Sequence, residues 1–291
     1  EHIISDYYEY GKKVEEQSRK YDHIFPSLAV SFPLGNVQMQ LAYRASIKRP
    51  SYWDLRSNIT YANRYTYETG NPLLQPTTIQ SLSLNTIYRW MSLSLSYNHY
   101  KNDYTSYVRA YSEENPTIGL LTREHIAPYN RLSASLTLSP VIGKWSPRWG
   151  VQVQRYDCKV DTPQGVETFD NPRAILSWRN TVKFTDSFWI NGDVYYQTKS
   201  QIDNTEYLEN SWYMNLNLYK GFLNNRMSLQ LQVTDLFNTR KSHVLMYSGL
   251  RTMELDNEMH RTVSLTFRYQ FNPTKSKYRG TGAGQSQKAR M

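Results

Sequence analysis

Apolar and polar residues alternate one by one through most of this chain. Met91, Leu93, Leu95 and Tyr97 are interleaved with Ser92, Ser94, Ser96 and Asn98. The stretches Leu132 to Leu138, Trp212 to Leu218, Met227 to Val233 and Val263 to Phe271 repeat the pattern, largely against Ser, Thr, Asn and Gln. A period of two puts every second side chain on the same side, so each segment reads as a strand with one apolar and one polar face. Similar segments cover 27–33, 37–46, 77–88, 148–157, 173–184 and 188–198, which makes eleven strands, with room for a twelfth ending near Tyr8.

The connections switch strictly between short and long. Short joints fall near 35–36, 89–90, 139–147, 185–187 and 223–225, and long ones run over 47–76, 101–127, 158–171, 199–209 and 238–258. A meander with its short turns at one end and its long loops at the other predicts an all-β fold: an antiparallel transmembrane β-barrel of about 11–12 up-and-down strands. Ten residues at ~3.3 Å, tilted by ~45°, rise about 23 Å, against an apolar band of ~25 Å. In a soluble sandwich the apolar face would meet a second sheet, and connections would not sort by length. Aromatic residues near the short joints (Tyr88, Trp90, Trp145, Trp149, Phe184, Phe188, Trp189 and Phe222) are expected to form an interfacial girdle.

Composition sharpens this picture. Mean hydropathy is negative and no run approaches ~20 apolar residues, so no transmembrane helix is predicted. Aromatics make up 14%, with 25 Tyr and 7 Trp, which is high for a soluble domain and fitting for girdles. The single cysteine, Cys158, excludes an internal disulfide. The formal charge is +9, but Lys and Arg are dispersed and cluster only after Phe271. That dispersal argues against nucleic acid as a partner, and a basic surface beside an anionic membrane accounts for the charge. No basic-then-apolar leader opens the chain at Glu1, which reads as a mature product or a fragment. Residues 1–271 are read as the barrel domain and 272–291 as a flexible basic tail. The Gly280-Thr281-Gly282-Ala283-Gly284 run in that tail lacks the strand-then-helix frame of a phosphate loop.

In a barrel of this kind the last strand runs towards the periplasm, which would put the short turns there and the long loops outside. Loop 47–76 opens on Arg49-Pro50-Ser51-Tyr52 and closes on Gly70-Asn71-Pro72-Leu73-Leu74-Gln75-Pro76. Gly70 and Asn71 suit positive φ, and Pro72 and Pro76 fix φ. Together with Arg49 and Pro50 they are expected to set how the loop re-enters the wall. With Asp235-Leu236-Phe237-Asn238 at a strand end and the closing Arg261 to Phe271 strand, these segments resemble the barrel of TonB-dependent outer-membrane receptors. The resemblance is strongest to the branch known as outer-membrane β-barrel family proteins, and it covers essentially the whole chain. It implies the C-terminal half of a barrel of about 22 strands, with a plug domain and a TonB-interacting segment in the missing N-terminal part. The implied partners are outer-membrane lipid, that missing barrel half and plug, and the TonB complex; the implied location is the cell outer membrane. A half-barrel leaves two unpaired edges, so either an open curved sheet or a smaller closed barrel is expected for this segment. The family usually carries Lys and Glu around the last proline of the motif, whereas Gln75-Pro76-Thr77 stands here without the carboxylate.

Bond chemistry is not expected. The six histidines have no metal-ligand spacing, and Tyr247-Ser248-Gly249 is not a nucleophile elbow, so no enzyme activity, cofactor or metal is predicted. Tyr65, Tyr67, Tyr104, Tyr107 and Tyr111 crowd two adjacent long loops. Their apolar rings and polar tips suit sugars, peptides or iron chelates, and equally suit an upper girdle. Arg44 and Arg268 are expected on the lumen wall as plug or substrate contacts. The resemblance implies uptake of a large nutrient (chelate, glycan or peptide) with energy from TonB. The alternatives are an adhesion or assembly platform acting through its loops, and a self-contained small barrel.

Overall fold

The computed structural model describes residues 2–6, 8–9, 11–14, 18–22, 24–249 and 251–271. Eleven antiparallel strands form one sheet. They are β1 (Ser27–Leu34), β2 (Val37–Lys48), β3 (Thr77–Tyr88), β4 (Met91–Lys101), β5 (Tyr129–Leu138) and β6 (Trp145–Tyr156), followed by β7 (Arg173–Thr185), β8 (Phe188–Gln197), β9 (Ser211–Phe222), β10 (Met227–Thr234) and β11 (Thr262–Tyr269). Spatial order equals chain order throughout, and β1 and β11 are edges with one partner each. The sheet is therefore open, and the smaller closed barrel is not formed. No twelfth wall strand lies among the described residues: His2–Ser5 pairs with Arg19–Asp22, and Tyr8–Glu9 pairs with Lys12–Lys13, in ladders of their own. The expected tail, 272–291, lies outside the described residues.

Register sorts the side chains into two faces. One row sets Leu41, Leu84, Leu95, Ala134, Val153 and Ala174 side by side from β2 to β7. A second aligns Val182, Ile190, Leu218, Leu231 and Leu265 from β7 to β11. The alternate rows are polar, as in Arg44–Ser81–Asn98–Arg131. A slip of one residue would exchange both faces at once, so these rows fix the register. Leu28, Leu41, Leu95, Leu176 and Leu265 are each at least 39% exposed. A face of bare leucines in a stable wall requires an apolar solvent outside it.

At the short-turn end Trp145 meets Trp149 edge to face (6.0 Å) and Phe184 stacks on Phe188 (5.0 Å). Trp178 stands opposite Trp149 and belongs with them. Trp189 does not. It faces Lys183 and Tyr219 across the ladder, on the polar side, and stacks on Tyr219 at 5.3 Å. The expected girdle loses Trp189 and gains Trp178, because strand parity rather than nearness to a turn decides the face. The joint expected over 139–147 is also shorter, because β6 already begins at Trp145.

The long connections are themselves β structure. Tyr104–Ala110 pairs with Gly119–His125, Cys158–Thr162 with Gly165–Phe169, and Ser200–Ile202 with Thr205–Tyr207. Lys241–Ser248 pairs with Arg251–Glu258, and Thr60–Asn63 with Thr66–Glu68. These hairpins form a crown with its own core. Tyr100, Tyr129 and Tyr156, at the upper end of the polar face, pack with Cys158, Val160 and Phe169 of one hairpin, and Ile126, Ile202 and Tyr247 lean on that cluster. Pro147 near a short turn excepted, every buried apolar side chain among the described residues lies in the crown or at the wall's upper end.

Candidate functional site

The crown covers the upper mouth of the polar face, and loop 49–76 anchors one side of it. A single helical turn, α1 (Tyr52–Leu55), starts at Ser51, whose hydroxyl accepts from the Asp54 N–H (3.2 Å) while Asp54 Oδ2 accepts from the Ser51 N–H (3.2 Å). This reciprocal cap satisfies N–H groups that the first turn of a helix leaves free. Asp54 also receives Arg123 Nε (3.1 Å) and the Tyr104 hydroxyl (3.3 Å) from the neighbouring hairpin. Burial works against its charge, but the Ser51 and Arg123 hydrogen bonds prevail and hold its carboxyl below the usual range.

The closing motif seats against this turn. The Asn71 N–H donates to the Asp54 carbonyl (2.6 Å), Asn71 Nδ2 to the Arg123 carbonyl (2.9 Å), and the Thr122 hydroxyl to the Gly70 carbonyl (3.0 Å). The expected positive φ at Gly70 and Asn71 is not found. Glycine is needed there for another reason: a Cβ on Gly70 would run into the Asp54 and Arg56 carbonyls. Pro72 follows, then Leu74, which is buried, and Pro76 leads directly into β3 at Thr77. Next to Pro76, the Thr77 hydroxyl donates to Asp103 (3.2 Å), so a carboxylate does reach this turn, from Asp103. At the opening of the loop, Arg49 and Pro50 link the end of β2 to the cap at Ser51.

The tyrosines of the two adjacent long loops occupy three places. Tyr67 packs on Tyr111 (4.7 Å) and Tyr61 (5.9 Å). Tyr65 lies beside them with Arg64 over its ring (4.7 Å). Tyr104 belongs to the Asp54 joint and sits under Lys48 (5.4 Å). Tyr107 lies against Gly249, leaving no room for a Cβ there, and lines a cavity of about 210 Å³. Arg44 and Arg268 both fall on polar rows, opposite Ser81 and Ser228, but on β2 and β11 they are far apart in the sheet.

Four hairpins that the sequence did not relate to one another enclose that cavity. Tyr107 and Glu124, Cys158 to Asp161, Asp203 in a hairpin turn, and Tyr247 with Gly249 contribute to its lining. Burial pushes the Asp203 and Glu124 carboxyls up; Asp103 adds to the first, and Asp161 adds to the second against Arg109. Burial also raises the Cys158 thiol. Val108 bridges Gly249, and Arg251 Nη2 donates to the Thr117 carbonyl (2.6 Å), so the last hairpin is latched to the second. On the outer hairpin His243 donates or accepts at Nε2 with Glu254 (2.6 Å), and one ligand atom from each of His243, Glu254 and Asp256 lies within 4.8 Å of the others. Cross-strand pairing creates this grouping, which linear spacing could not show. Its exposed carboxylates are ordinary hairpin surface.

This architecture has a family. The profile of the outer membrane protein β-barrel family matches residues 1–269, and the chain belongs to that family. It is an outer-membrane β-barrel wall; its apolar face meets lipid and its polar face the lumen. Among solved structures it resembles the ferric enterobactin receptor PfeA of Pseudomonas aeruginosa in complex with BCV-L6, at TM-score 0.54 and 16% identity, covering 86% of this chain and 40% of that one. The siderophore receptor PirA of Acinetobacter baumannii gives TM-score 0.53 and 13% identity, covering 87% and 41%. PirA of Pseudomonas aeruginosa gives 0.54 and 14%, covering 77% and 40%. At these identities the likeness is one of fold. The chain spans about two-fifths of the length of these receptors. None of the curated proteins compared matches it.

Proposed function

We propose that this chain is the C-terminal wall of a TonB-dependent outer-membrane receptor that takes up a large nutrient. The carrying observation is the open edge at both β1 and β11 of an otherwise regular wall with a bare apolar face. Lipid does not tolerate unpaired strand edges, so further strands are required to close this wall. A barrel of about 22 strands would enclose a lumen wide enough to need a plug. The fold likeness to siderophore receptors, restricted to two-fifths of their length, supports the same reading.

In this reading the short turns are periplasmic and the crown is extracellular. Arg49, Pro50, Gly70, Asn71, Pro72 and Pro76 act structurally, seating the crown on the wall. Tyr65 and Tyr67 offer aromatic surface to arriving ligand, while Tyr104 and Tyr107 hold hairpins in place. Energy comes from TonB through the segment N-terminal to this chain, and no group here breaks bonds. The test uses the full-length protein: binding of a TonB C-terminal domain, together with loss of nutrient uptake on deletion. A receptor that binds no TonB and whose deletion leaves uptake unchanged, while crown deletion abolishes cell adhesion, would replace transport with a platform role.

A further inference from the structure

The charges of the wall are segregated by face. Arg44 and Lys48 on β2, Arg131 on β5, and Arg148 on β6 point to the lumen by register. So do Arg173, Arg179 and Lys183 on β7, and Arg268 on β11. Only Lys101, Arg155 and Lys220 are on the lipid face, near its rims. Against these bases the eleven wall strands hold one carboxylate, Asp193. It pairs with Arg179 (3.1 Å), and Lys183 pairs with Asp186 in a short turn (2.9 Å). Arg44, Lys48, Arg131, Arg148, Arg173 and Arg268 have no ion pair among the described residues.

The acids of the molecule lie elsewhere, mainly in the crown, where several are neutralised locally. Asp54 pairs with Arg123, Glu68 with Arg56, Asp170 with Arg155, and Glu258 with Lys241. The crown segments hold more acids than bases, whereas along the wall strands the bases far outnumber the single acid. Unpaired cations of one sign on a low-dielectric concave wall reinforce one another and raise the local concentration of counter-ions.

We propose that the lumen is an anion-concentrating path built for a cargo of net negative charge. This rests on the transport reading for its cargo and on the wall alone for its potential. Phosphate-bearing and carboxylate-bearing solutes share the required chemistry, whether they arrive as an acidic glycan or as an anionic chelate. Neutral solutes gain nothing from the wall, and cations are repelled by it.

The experiment uses the full-length receptor with a spin label at Ser177→Cys, a lumen-facing position opposite Gly150 on β6. Cys158 is buried and leaves the label selective. Collision rates are measured with chromium oxalate, a trianion, and with the neutral nickel complex of ethylenediaminediacetate. At low ionic strength the trianion should be favoured about tenfold, with the ratio falling towards one as salt screens the wall. Arg148→Glu with Arg179→Glu should bring it close to one, and a second label at Gln152→Cys should reproduce the result if the first variant folds poorly. Added oligogalacturonate or ferric citrate should displace the trianion, and the better competitor identifies a glycan or a chelate as the kind of cargo. Parity at low salt would overturn the proposal, since carboxylates of the plug or of the missing strands would then neutralise the wall. Displacement by neither competitor would overturn the cargo assignment. A tenfold excess in a receptor that binds no TonB would sink the transport reading alone.

Discussion

The wall and the crown are built from the same antiparallel pairing, yet they are held together by different means. Along the wall, neighbouring strands share long ladders while the large side chains of the apolar face stay bare. In the crown the ladders are short, and order comes from a buried cluster and from side chains that reach between hairpins, such as Asp54 to Arg123 and Tyr107 to Gly249. The wall depends on its solvent, and the crown depends on itself. It follows that the two should fail separately, under different substitutions and in different assays.

The largest expected effect is at Phe169, which is fully buried and meets Tyr247 edge to face at 5.3 Å. Phe169→Ala should cost the crown about 3–5 kcal/mol. Limited proteolysis of the full-length receptor in membranes should then cut the hairpins, while heat-modifiable gel migration of the barrel persists. Loss of both would show that the wall leans on the crown. The converse substitution is Leu95→Arg, in the middle of the lipid face. It should cost the wall about 2–4 kcal/mol in bilayer refolding, with hairpin protection unchanged once the protein is folded.

Smaller effects separate the joint between the two regions. Gly70→Ala forces a methyl into the Asp54 and Arg56 carbonyls and should cost about 1–3 kcal/mol, read as faster amide exchange at Asn71 and Thr122. Asp54→Asn removes the partner of Arg123 and one arm of the helix cap, an expected loss of about 1 kcal/mol at neutral pH. Because the folded pKa of Asp54 is depressed, its stabilisation is complete above the ordinary carboxylate value and disappears as pH falls through the folded pKa. Wild type and Asp54→Asn should therefore converge in strongly acidic buffer, and a gap that persists there would assign the effect to packing.

The wall could be read from the chain because every strand repeats a two-residue period, and turn length adds direction. The place of Arg44 and Arg268 on the polar face follows from parity alone. Trp189 was misplaced where nearness to a turn was allowed to outweigh that parity. The hairpins of the crown also left a trace: Cys158, Val160 and Thr162 are buried while Lys159 and Asp161 are exposed, the same alternation over a shorter run. What no local pattern carries is the meeting of hairpins. Gly70 is required by carbonyls sixteen and fourteen residues earlier, and the cavity beside Tyr107 draws on segments from Thr105 to Gly249. Such contacts are set by how the wall curves beneath the crown.

The division between lipid face and lumen face supports every other statement about this molecule, and β10 tests it most directly. A fluorescent label is placed in turn at each position from Met227 to Thr234 of the full-length receptor, and quenching by doxyl-labelled lipid is measured. Strong quenching at Met227, Leu229, Leu231 and Val233, with little at Ser228, Gln230, Gln232 and Thr234, is the predicted result. Quenching without that alternation, or in the opposite phase, would contradict the account.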